Sequence, residues 1–139
     1  MNFNYKIIEI CIRQAISLLE ESNEFYPFAF AIKADSNIVP IITFFGDEFP
    51  TSQNMIIELE KALEVGNKKN NYIGVAICCN VEYTNDSIIN KKVDALEIRV
   101  DFLDGPTINF YEIYKLSDEN TFFIEDEFLE NGNLLFFNK

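Results

Sequence analysis

Four carboxylates fall within six positions near the end of this chain, at Glu125, Asp126, Glu127 and Glu130, with Phe128 among them. Phe122, Phe123 and Leu129 flank the run, and a second acidic pair, Asp47-Glu48, precedes Phe49-Pro50. Carboxylates at such density can do two kinds of chemistry. Two of them held across a cleft can serve as acid and base on a glycosidic bond. Alternatively, an acidic surface with apolar neighbours can receive a basic protein, the apolar groups supplying affinity while the charges steer and select. The same run also reads as an acidic turn whose neighbouring phenylalanines belong to the core.

Other chemistries have less to stand on. The sequence contains no histidine, so a serine or cysteine nucleophile lacks its usual base. No lysine stands in a serine–lysine pattern, and the glycines at 46, 66, 74, 105 and 132 are too dispersed to cradle a phosphate. Cys11, Cys78 and Cys79 show no metal-ligand spacing, and adjacent strand residues point to opposite faces. They read as reduced, buried, small residues of a cytoplasmic protein. Asp35-Ser36-Asn37 opens like a calcium loop, but Ile38 and Val39 follow where oxygen ligands and a glycine are needed. Asp47-Glu48, Glu58-Glu60-Glu64 and Asp118-Glu119 fall in expected loops or on a wet helix face, where carboxylates are simply solvated. No catalytic, cofactor-binding or metal-binding residue is therefore assigned. The candidate partner-binding residues are Glu125, Asp126, Glu127, Glu130 and Phe128, with Asp47 and Glu48.

The 139 residues carry a formal charge of −12, unevenly spread. From Ser117 onward six acids oppose one lysine, a balance of −5, whereas Lys68, Lys69, Lys91 and Lys92 outnumber Glu82 and Asp86 between Gly66 and Val93, a balance of +2. Such a field disfavours nucleic acid and anionic membrane as partners and favours a basic protein. Met1 to Arg13 lacks the pattern of a secretory signal. No apolar run approaches the roughly 20 residues that cross a bilayer.

The elements that must position these residues follow from periodicity. Ile8, Cys11, Ile12, Ala15, Leu18 and Leu19 recur at helical spacing, predicting a helix over about 5–21 that packs on a sheet and touches a second helix. Phe28, Phe30 and Ile32 alternate with Ala29 and Ala31, a strand whose small-residue face lies under something close. Asp35-Ser36-Asn37 turns the chain into a second strand over 38–45, placed at an edge because Pro40 has no N–H. Thr51 or Ser52 caps a helix over about 52–65 that Gly66 and Asn67 end. Ile73, Val75, Ile77, Cys79, Val81 and Tyr83 share one face of a long central strand over 72–83. After a polar loop over 84–92, Leu96, Ile98, Val100 and Phe102 alternate with Glu97, Arg99 and Asp101 on a wet face. Strands over 107–116 and from 121 to about 124 complete the pattern, and Leu134 to Phe137 dock a tail on the body. The expectation is one α+β domain over 1–139: a single antiparallel sheet of five to six strands with two helices packed on one face, in the order α-β-β-α-β-β-β-β.

Phe25-Tyr26-Pro27-Phe28-Ala29, the hairpin through Asp35-Ser36-Asn37-Ile38-Val39-Pro40, and Gly46-Asp47-Glu48-Phe49-Pro50 before a helix together resemble a group of small bacterial proteins. Those proteins have a Phe-Tyr-Pro-Phe-Ala strand, an Asp-Gly turn, a helix and later alternating strands. The resemblance covers about residues 5–115, and Ser36-Asn37 replaces the Asp-Gly turn. The group is similar in character to immunity proteins of bacterial toxin systems. That implies a small, cytoplasmic, single-domain, non-enzymatic protein, and no catalytic residues come with it. The reading that follows is an immunity-type inhibitor of a basic toxin domain. A homodimerising scaffold or regulatory module is the alternative, and a carboxylate-based hydrolase the third.

Overall fold

A computed structural model of the chain describes residues 5–43, 51–85 and 91–137. Its elements run α1 (Lys6–Ser22), β1 (Phe28–Ile32), β2 (Ile38–Pro40), α2 (Ser52–Asn70), β3 (Gly74–Asn85), β4 (Lys91–Phe102), β5 (Thr107–Leu116) and β6 (Phe122–Asn131). The fold is α+β, with the element order that the sequence predicts. The strands form one antiparallel sheet in the order β2-β1-β3-β4-β5-β6. β3 is interior and β2, with Pro40, is an edge, as alternation and the missing N–H require.

The two helices lie on opposite faces of the sheet, which corrects the expectation that both pack on one. α1 buries Ile7, Ile8, Cys11, Ala15 and Leu19 against Ala76, Cys78, Leu96, Ile98, Val100 and Phe102. α2 sets Leu59 and Leu63 against Ala29, Ala31, Val75, Ile77 and Cys79. The physical reason is that β1 and β3 are apolar on both faces, so each face needs its own cover. α2 carries the chain from β2 past β1 to β3, and Ala29 and Ala31 let it come close. Cys78 and Cys79 consequently belong to different cores, and all three cysteines are free and buried.

α2 also runs further than expected. Gly66 and Asn67 do not end it; Asn71, at φ 52°, does. Gly66 instead makes room for a ring, since a Cβ there would collide with the buried Tyr72 side chain. Asn67 Oδ1 accepts the Tyr72 N–H at 2.8 Å, and Lys68 and Lys69 complement the negative end of the helix.

β4 does not have the wet face expected of it. Glu97 is 9% exposed and Asp101 only 1%. Asp101 accepts from Thr107 Oγ1 at 2.6 Å and from the Phe137 N–H at 2.9 Å. Residues 132–137 fold back over this face to make the second contact. Gly132 donates to Thr107 O, Leu134 is buried, and Phe136 and Phe137 pack into the α2-side core. Leu135 stays 68% exposed. Among the described residues no helix is long and apolar enough to cross a membrane.

Candidate functional site

The acidic run is neither a turn nor a tail. It is the body of β6, a strand that the sequence pattern ends near residue 124 but that continues to Asn131. β6 pairs with β5 on one side and is the last strand of the sheet on the other, so its outer backbone groups have no strand partner among the described residues. Apart from Phe122 and Phe128, β6 is exposed on both faces, so charged residues occupy both without burial cost. Hence the alternation that reveals β3 is lost here, and the run of acids hides the strand.

Register fixes where each predicted residue goes. Asp126, Phe128 and Glu130 pair with Ile113, Tyr111 and Asn109 on the α2 side. Glu127 and Leu129 pair with Glu112 and Phe110 on the α1 side. The register slips between Ile113 and Tyr114, which face Asp126 and Ile124, leaving Glu125 at a bulge. Glu125 forms an ion pair with Lys115 at 3.0 Å, the two side chains 38% and 62% exposed. Structure thus brings Glu125, Asp126, Glu127, Glu130 and Phe128 together on one strand. Asp47 and Glu48 lie outside the described residues.

Phe128 is half-buried and does not stand free as an anchor. Its ring stacks on Tyr111 and tilts against Tyr83, both centroids 5.2 Å away. Tyr111 donates to Glu97 Oε2 at 2.8 Å, and Arg99 Nε donates to Glu97 Oε1 at 2.7 Å. Burial, and then the bond to Glu97, push the Tyr111 hydroxyl up to about 12. Beneath the acidic edge, then, lies a tied floor of aromatic rings and a compensated buried ion pair. The apolar groups presented at the edge are Phe123, Ile124 and Leu129, each half-exposed or more.

Sequence reading passes over one residue of this site altogether. Glu112, in β5 opposite Glu127, is 1% exposed, and its Oε1 has no hydrogen-bond donor. Its neighbours along the strand, Tyr111 and Ile113, are buried as well, so no polar face advertises it. Burial, followed by the charge of Glu127 and a hydrogen bond shared with it, raises the Glu112 carboxyl to about 7. Burial likewise pushes the thiols of Cys11, Cys78 and Cys79 upward, which keeps them protonated and weakly nucleophilic. Among the described residues no cluster of three or more acids and cysteines could hold a metal. No protein-family model, curated protein or solved structure matches the chain.

Proposed function

We propose that this chain is a non-enzymatic, cytoplasmic binding protein, an immunity-type inhibitor that neutralises a basic toxin domain through its β6 edge. One observation carries the reading: an edge strand with no outer strand partner among the described residues holds Glu125, Asp126, Glu127 and Glu130 beside exposed Phe123, Ile124 and Leu129. Open backbone groups can extend the sheet onto a partner, and alternate side chains select it. The acidic field draws a cationic domain and mimics the phosphates such a domain would otherwise meet. Three buried cysteines with no disulfide suit a reducing compartment. Homodimerisation through the same edge is opposed by the charges themselves, because two copies would set like carboxylates against one another.

The proposal expects, beside the coding sequence of this chain, a reading frame for a large secreted protein with a basic C-terminal domain, and that domain is the test partner. Binding measured at low and at moderate salt should weaken by about tenfold with added salt. The combined change Glu125→Lys, Asp126→Lys, Glu127→Lys and Glu130→Lys should abolish it. Failure of the unaltered chain to bind that domain, or any other native partner, sinks the proposal.

A further inference from the structure

The geometry points to the Glu112–Glu127 pair as the receptor for one arginine or lysine side chain of the basic partner, a subsite that rests on the β6-edge reading. Edge acidity alone would not single out this position. Glu112 does, because a side chain 1% exposed keeps an oxygen without a donor while facing a second carboxylate. A buried carboxylate that lacks donors is costly, and a like charge opposite adds to the cost. A cation is the ligand that answers both. Its N–H groups would supply the missing donors, and its charge would separate two repelling carboxylates.

Apolar or already bonded groups stand around Glu112 on the α1 face. β4 contributes the buried Leu96 opposite Glu112, and β3 contributes the Cys78 thiol, which burial first, and then Cys11 of α1 and Glu112 among other charges, hold protonated. Tyr114, two residues along β5, is bonded to Asn80 Oδ1 at 2.7 Å. Glu20 of α1 is occupied with the Phe122 N–H at 3.0 Å, at the start of β6. Glu127, the cross-strand partner of Glu112, is exposed, on the row that a strand added beside β6 would continue. Neighbouring strands are about 4.8 Å apart, so a long basic side chain opposite Glu127 lies along that row. Entry of the cation displaces the proton that the pair holds: the Glu112 O–H bond breaks, the proton goes to solvent, and the carboxylate accepts from the incoming nitrogen.

An acetylated tetra-arginine amide serves as the probe, added to the full chain carrying 13C-labelled glutamate and aspartate carboxyls. The Glu112 and Glu127 signals should move together. Binding should be about tenfold weaker at pH 6 than at pH 8, because a carboxyl with a pKa of about 7 is largely protonated at the lower pH. Glu112→Gln should remove that pH dependence. Movement of Glu125, Asp126 and Glu130 without Glu112 would overturn the subsite and leave the edge reading standing. No movement anywhere on β6 would count against both.

Discussion

Glu112 and Glu97 are both buried carboxylates in adjacent strands, yet they meet opposite fates. Glu97 has a guanidinium on one oxygen and a phenol on the other, the arrangement in which a buried charge is tolerated. Glu112 has another carboxylate, and its pKa is raised to about 7, first by burial and then by Glu127. A raised pKa means that the folded state binds this proton more tightly than the unfolded chain does. Its contribution to stability is fully present below the ordinary carboxylate range and is lost as pH rises through about 7. Urea unfolding should therefore show stability falling by about 1–3 kcal/mol between pH 5 and pH 8. Glu112→Gln keeps the shape and removes the titration, so it should flatten the profile and exceed the unaltered chain at pH 8. Parallel profiles for the two proteins would show that Glu112 does not hold this proton.

Among the elements, α2 gives the sharpest contrast between local preference and tertiary demand. Alanine at a helix-interior glycine ordinarily gains about 1 kcal/mol. At Gly66 the added methyl meets the hydroxyl end of the buried Tyr72 side chain. Gly66→Ala should lower the thermal midpoint, at a cost of about 1–3 kcal/mol for the overpacked contact. In a Tyr72→Leu background the same change should raise the midpoint, and equal effects in both backgrounds would exclude the ring as the cause. This is also why the end of α2 is not legible in the sequence: Gly66-Asn67 looks like a terminator, and only a partner six residues on shows that the glycine is there for packing. α1, β3 and the first hairpin are legible because one regular period governs each of them. β6 is not, because an edge strand needs no apolar face. Helix placement follows from Ala29, Ala31 and the doubly apolar β3, a signal present in the alternation but readable only once α2 is seen to travel over it. Glu97 and Asp101 look like a wet face because the residues that cover and satisfy them, Tyr111 and Phe137, lie one strand over and at the chain's end. The acidic members of the site are visible from composition, whereas Glu112 depends on register.

For the whole molecule, β6 leaves a ten-residue edge that has no strand partner among the described residues and is exposed to pairing with a second copy. β2 protects its side by being short and by carrying Pro40. β6 has neither device and exposes Phe123, Ile124 and Leu129. What it has is charge: four of the chain's 23 acids lie on this strand, within a total of −12. Carboxylates on an exposed edge discourage pairing with a second copy while leaving the edge open to a cationic partner. Under the proposed function the same residues both repel a second copy and attract the basic partner. Neutralising them without altering size separates these roles. Sedimentation velocity of the chain carrying Glu125→Gln, Asp126→Asn, Glu127→Gln and Glu130→Gln should show concentration-dependent association, while the unaltered chain sediments as a monomer throughout. Adding Leu129→Lys to that variant should restore the monomer, since it puts a charge back on the edge and removes an exposed apolar contact. A neutral variant that remains monomeric would assign protection of this edge to the Glu125 bulge and its twist, and charge would then serve the partner alone.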